Sequence, residues 1–179
     1  MNIFILCSDA KENAKAYADK HVIKMLLEGV QILCSVSHLK GIKAPYRLTH
    51  ANHPSVKWVC ESGAHWDMLM KLVEELNNEY KYRYDRKNNH KSYDVAKGLI
   101  KPKFDKIEAT GLYTVVADEV KILGLEDAIE EYRKYYIKKS KNMEMTWKKR
   151  EIPIFMRKAM KENKREKEKE KLNINNKSK

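Results

Sequence analysis

The sequence predicts an all-α fold: a compact bundle of three main helices with long irregular loops and a charged C-terminal extension. Three observations predict it. Apolar residues recur at three- and four-residue steps along two long stretches, about 10–39 and 55–84, and along a shorter one from about 125 to 139. The segments between them are polar or proline-punctuated and carry no such period. The 179 residues, 42% of them hydrophobic, suffice for one domain with a real core plus an appendage.

Taken in order, Ile3 to Leu6 is a short apolar stretch, either a small strand or a buried extended segment. Ser8 or Asp9 is placed to cap the first helix, with Glu12 positioned for a capping box from Asp9. The helical signal runs to Leu39 with a break near Asp19, and Gly41 is the stop signal. Segment 44–54 holds Pro45, Arg47, His50, His53 and Pro54, and is a functional-loop candidate. The second helix covers Ser55 to Tyr84, carried by Val56, Val59, Trp66, Met70 and Val73. Segment 88–110 is loop with one short helix. The stretch from Leu112 to Val120 is strand-like in composition but too short and isolated for a sheet. A third helix runs from Leu125 or Glu126 to about Lys139. From Met160 apolar residues almost vanish, so 1–158 is one helical domain and 159–179 a tail, a solvated helix or disordered. Trp58, Trp66, Met25, Leu26, Val30 and Leu69 are the expected core.

Net charge is +12, with a pI near 9.4. The tail from Lys161 onward carries eight Lys/Arg and four Glu, so two thirds of the surplus lies in the body. A basic body favours a polyanionic partner, most simply nucleic acid. Cys7, Cys34 and Cys60 are odd in number and widely spaced, the pattern of free thiols in a reducing compartment. No apolar run approaches the roughly 20 residues of a membrane span. The expectation is an intracellular protein (cytoplasm or nucleus of a host cell, if viral) with no membrane partner. His50 and His53 have a metal-like gap but no third nearby ligand, so no metal is assigned.

The segment from Ala18 to Glu28 concentrates the chemistry. His21, Met25 and Glu28 follow an i, i+4, i+7 pattern on one helix face, and Lys24 lies beside it. The arrangement reads either as a Lys24–Glu28 pair with a half-buried histidine or as a catalytic carboxylate with a helper imidazole. Farther on, aromatics interleave with cations in Tyr80-Lys81-Tyr82-Arg83-Tyr84 and around Trp147-Lys148-Lys149-Arg150. Such runs stack on bases and pair with phosphates, or cap a core. Trp147 is either a core anchor or a stacking platform.

Ala18-Asp19-Lys20-His21 followed by Glu28 resembles the catalytic helix of the phage pyrimidine-dimer DNA glycosylase/AP-lyase (endonuclease V-like) family, with the same gap from histidine to glutamate. The opening Met-Asn-Ile-Phe, Asp-Lys-His-Val-x-Lys-Met, Thr-His-x-Asn-His-Pro and Tyr-x-Tyr-Arg-Tyr also resemble a group of phage and large-virus proteins over most of 1–155, a likeness that brings no activity with it. The glycosylase resemblance implies a cofactor-free enzyme of DNA repair in which an N-terminal α-amine attacks sugar C1′ and forms a Schiff base. Glu28 would be the catalytic carboxylate and His21 its neighbour, with the amine on Met1 or Asn2. An α-amine has a pKa near 8, so about a tenth is nucleophilic at pH 7. Lys24, Arg47, His50, His53, Arg83, Arg133, Trp147, Lys149 and Arg150 are the candidate contacts to duplex DNA. The family has threonine where Asn2 stands, and arginines where Leu27 and Gln31 stand. A side chain the size of Asn2 predicts retention of Met1. Two other readings fit the same residues. One is a non-catalytic viral nucleic-acid-binding or host-interaction protein. The other is a nucleotide-binding or nucleotide-processing protein with Arg47, His50, His53 and Arg83 around a phosphate.

Overall fold

A computed structural model describes residues 2–116 and 119–177. The fold is all-α. In order come α1 (Ala10–Ala16), α2 (Asp19–Leu39), α3 (Pro54–Glu61), α4 (Gly63–Arg83), α5 (Lys91–Lys97), β1 (Leu112–Val116), β2 (Glu119–Leu123), α6 (Leu125–Asn142) and α7 (Ile154–Lys177). Helix α2 packs along α4, with α1, α3 and α5 around that pair, and α6 packs on β1 and α7. Trp58, Trp66, Met25, Leu26, Val30 and Leu69 are all buried in one core. The α2–α4 approach is close at Gly29, where a Cβ would lie 2.8 Å from Val73 Cγ2.

Both long helical runs are interrupted, and each break has a local cause. Asp9 caps α1 by accepting from the Glu12 N–H at 2.9 Å. The chain then turns extended at Tyr17 and Ala18 before α2 begins. Gly41 follows the end of α2 at φ +79°, a left-handed conformation that glycine adopts without steric cost. The second run divides into α3 and α4 at Ser62, which is extended and whose hydroxyl accepts from the His65 N–H at 3.2 Å. There Gly63 and Ala64 donate to Lys106 and Ile107 carbonyls at 2.9 and 3.0 Å, so the loop takes over backbone donors a continuous helix would have used.

The stretch 112–123 corrects the expectation of no sheet. It forms an antiparallel hairpin pairing Leu112 with Leu123 and Thr114 with Lys121. Two isolated strands are marginal in water. Here alternate residues Leu112 and Thr114 are buried against the body, and Trp58 Nε1–H donates to the Gly111 carbonyl at 3.0 Å. Packing supplies what the pair lacks alone.

The first residues are extended but belong to no strand. Their backbone is satisfied by side chains. Asn13 accepts from the Leu6 N–H at 2.7 Å and donates to the Phe4 carbonyl at 3.0 Å. Tyr17 donates to the same carbonyl at 2.6 Å, and Arg133 Nε–H to the Leu6 carbonyl at 2.8 Å. Ile3 to Leu6 are thereby buried. By length and hydropathy α2 alone among the described helices could cross a membrane, and most of that window is buried inside this fold. The charged C-terminal segment enters α7, whose Met156 and Ala159 are buried. Asn163 also donates to the Ser140 hydroxyl at 2.9 Å.

Candidate functional site at the amino-terminal segment

The clamped N-terminal stretch brings residue 2 to α2. The backbone N–H of Asn2 donates to Glu28 Oε2 at 3.3 Å. Asn2 is itself held, because its Oδ1 accepts from the Ile3 N–H at 2.8 Å and from the Tyr132 hydroxyl at 3.1 Å. Glu28 is 16% exposed at its side chain and faces the Lys24 ammonium at 3.7 Å, which is 63% exposed. A nitrogen, a half-shielded carboxylate and an ammonium therefore meet at one point on the surface. Met1, the other candidate amine, lies outside the described residues.

His53 borders this point electrostatically. It caps α3 by accepting from the Ser55 N–H at Nδ1, 3.1 Å away. Burial lowers its pKa, and nearby positive charge lowers it further, against an upward pull from Glu28. His50 is exposed and holds a left-handed backbone, φ 53°. Arg47 is exposed. No group of three or more His, Cys, Asp or Glu among the described residues is arranged to hold a metal ion.

The structure separates His21 from Glu28, which corrects the shared-face reading. One helical face is not one site: seven residues span about 10 Å of axis. His21 is buried, and its Nδ1 lies 2.6 Å from the Tyr136 hydroxyl, among Phe4 and Tyr136 rings. Burial, then Lys139 and Lys24, lower its pKa to about 4. The Tyr136 oxygen accepts from the Ala18 N–H at 2.8 Å, leaving its own proton for the neutral imidazole. His21 is an internal hydrogen-bond partner of α6.

Arg83 and Trp147 are also corrected. Arg83 is fully buried and contacts no solvent. Its Nε donates to Glu79 at 2.8 Å and its Nη1 to Asp19 at 3.0 Å and to the Tyr17 carbonyl at 2.8 Å. Its Nη2 donates to the Lys15 carbonyl at 2.9 Å. Asp19 also accepts from Thr146 at 2.7 Å and from the Lys148 N–H. Burial raises the Glu79 pKa, but bonds and charge from Arg150 and Arg83 outweigh it and hold the carboxyl below its usual range. Trp147 is buried, with Nε1–H donating to the Ala16 carbonyl at 3.0 Å. Both residues tie loop 143–153 and α4 to the α1–α2 corner, which removes them from contact with a ligand.

The remaining cations each have partners of their own. Lys149 is exposed, pairs with Asp85 and lies over the Tyr82 ring. Arg150 grips Glu79 with two bonds, at 3.1 and 2.6 Å, and stacks on Tyr82. Arg133 is half-buried on the Leu6 carbonyl and the Phe155 ring. Sequence reasoning missed Tyr132 and Asn13, which hold the N-terminal stretch. The four-residue spacing of Tyr132 and Tyr136 was the available signal, since it puts both on one face of α6. No family model, no curated protein and no solved structure matches this chain.

Proposed function

We propose that this protein acts on nucleic acid as a cofactor-free DNA glycosylase/AP-lyase, attacking a damaged or modified base in duplex DNA through an amine at its amino terminus. One observation carries the reading: the residue-2 nitrogen is held 3.3 Å from the Glu28 carboxylate on a buried, side-chain-clamped segment. Where processing removes Met1, that nitrogen becomes an α-amine. Its lone pair attacks C1′, the bond from C1′ to the base breaks, and the base leaves with the electron pair and a proton. The nitrogen lone pair then expels O4′: the C1′–O4′ bond breaks, the remaining N–H proton passes to O4′, and an imine forms at C1′. Removal of a C2′ proton then expels the 3′ phosphate. Glu28 is placed to take the ammonium proton before attack and to assist the elimination. Lys24 supplies adjacent positive charge, and the basic surplus of the chain favours the polyanion.

The test is borohydride trapping on a duplex with one abasic site, read with intact mass. On this reading Met1 is removed despite the size of the Asn2 side chain, and the expected result is a covalent adduct on Asn2, absent in Glu28→Gln. A second reading has its own observation. The peptide N–H of Asn2 and Lys24 already satisfy Glu28, and Leu27 and Gln31 replace the family's flanking arginines. On that reading Glu28 is a structural clamp in a non-catalytic nucleic-acid-binding protein. Absence of any adduct, with Met1 present in the mass, decides for it.

A further inference from the structure

A second place on the molecule is built for an anion. A cleft of about 640 Å³ lies between α1, α6 and the start of α7. Its volume falls in the range of small-ligand pockets. Arg133, Arg150 and Arg157 all line it. Each guanidinium is anchored by two of its three nitrogens. Arg133 uses Nε on the Leu6 carbonyl and Nη2 on Cys7 Sγ. Arg150 uses Nε and Nη2 on Glu79. Arg157 uses Nε on the Ile152 carbonyl at 3.0 Å and Nη2 on Glu151 at 2.7 Å. In all three, Nη1 has no partner among the described residues. Arg133 and Arg150, held in this way, present a spare donor edge to an oxyanion with little side-chain entropy left to lose, and Arg157, on its exposed Glu151 pair, presents a third.

Charge and shape narrow the ligand. The lining carries Lys15 as a fourth cation; Glu12 pairs with it, Glu151 with Arg157 and Glu79 with Arg150, which leaves Arg133 as the uncompensated charge and the free guanidinium edges as donors. The amino-terminal turn of α7, the positive end of its dipole, forms one wall. That wall is apolar, with Ile154 81% exposed and Phe155 beneath the Arg133 guanidinium. Arginines beside an apolar ledge suit a phosphate joined to a flat, weakly polar group. We propose that this cleft binds a nucleoside monophosphate unit, its phosphate on the free edges of Arg133, Arg150 and Arg157 and its base or sugar on the Ile152–Phe155 wall. The inference rests on nucleic acid or its monomers being the ligand class, and is independent of the Schiff-base step.

The test is calorimetric titration of the full chain with dTMP, thymidine and inorganic phosphate, on the parent and on Arg157→Gln and Arg133→Gln. Arg157 is half-exposed, so its variant folds even where the Arg133 variant is weakened. Saturable dTMP binding, competed by phosphate and at least about tenfold weaker in Arg157→Gln, is expected, with no binding of thymidine. A 5′-phosphorylated octanucleotide bound more tightly than its 5′-hydroxyl form makes the strand terminus the source of the phosphate. Equal binding of the two, with dTMP retained, makes it the free nucleotide. Thymidine binding as tightly as dTMP, an unchanged constant in Arg157→Gln, or no saturable binding of dTMP overturns the proposal. A mononucleotide has no abasic aldehyde to trap, so this result stands or falls apart from borohydride trapping.

Discussion

Replacing Arg83 by methionine separates a structural cation from a ligand-binding one. Methionine keeps the unbranched stem and removes the guanidinium. The structure then leaves Asp19 with Thr146 and Lys148, leaves Glu79 with Arg150, and strips the Tyr17 and Lys15 carbonyls of their donor. Two buried carboxylates lose their shared counter-charge. Breaking a buried pair by removing one partner costs about 3–5 kcal/mol, because the remaining charge stays desolvated. At about 2–4 °C per kcal/mol for a chain of this size, the melting temperature falls by roughly 6–20 °C. Urea unfolding followed by far-UV circular dichroism measures the first quantity and scanning calorimetry the second. Oligonucleotide affinity of the folded variant, taken at two salt concentrations, is the control. A variant within about 1 kcal/mol of the parent that has lost affinity, with its salt slope reduced by about one, would show that Arg83 reaches phosphate and that the buried knot is misassigned.

Two further outcomes follow from the same packing. The His21 imidazole has a folded-state pKa of about 4 against an unfolded value near 6.5. Its folded value is depressed, so stability is complete above about pH 6.5, declines by roughly 3 kcal/mol as pH falls to about 4, and levels off below. His21→Gln keeps an acceptor for Tyr136 and lacks the titration, so urea midpoints from pH 7.5 to 4 should fall less steeply; parallel profiles would refute the assignment. Gly29→Ala adds a methyl 2.8 Å from Val73 Cγ2, a stiff branched neighbour, and helix propensity offsets part of the overpacking. The net expectation is about 1 kcal/mol of destabilisation by urea unfolding, and a gain in stability would show that α2 and α4 pack with slack.

The helices were legible because their apolar period is local. Val22, Leu26, Val30 and Leu33 lie on one side of α2 by spacing alone, and all are buried. What the spacing could not show is what stands opposite. Asp19 and Arg83 are 64 residues apart, and Tyr132 and Asn2 are 130 apart. The run Tyr82-Arg83-Tyr84 reads as a basic aromatic surface, yet Tyr82 is exposed and Arg83 is sealed. Consecutive helical positions point in different directions, so a run mixes faces. The hairpin was missed for a related reason. Its strands are too short to argue for themselves, and they are held by packing on α6 and by Trp58, which lies 53 residues from the Gly111 carbonyl it bonds. Within the candidate site, Glu28 was legible from its spacing to His21. Its partner Asn2 was named only through the family resemblance; spacing could not show the contact, because Asn2 arrives on an extended segment whose hydrogen bonds are supplied by Asn13, Tyr17 and Arg133.

Burying Arg83 and Trp147 does not reduce the net positive charge of the chain, because ion pairs cancel in equal numbers. Arg83 and Arg150 are neutralised by Asp19 and Glu79, Lys149 by Asp85, and Arg157 by Glu151. The surplus of twelve therefore resides on other cations, such as exposed Lys20, Arg47 and Lys57, for which no described partner exists. Two of these, Lys20 and Arg47, are on α2 or the loop that follows it, as is Lys24 beside Glu28. Exposed lysines give affinity that is steep in salt and indifferent to sequence. Trp147, a candidate stacking platform by sequence, is used instead in holding loop 143–153 against α1. On the proposed function, discrimination between substrates would fall to the two places where polar groups are fixed before any ligand arrives. One is the Asn2–Glu28 contact, oriented by Tyr132, and the other is the cleft of anchored arginines. In both, the ordering entropy is met by the fold rather than at binding.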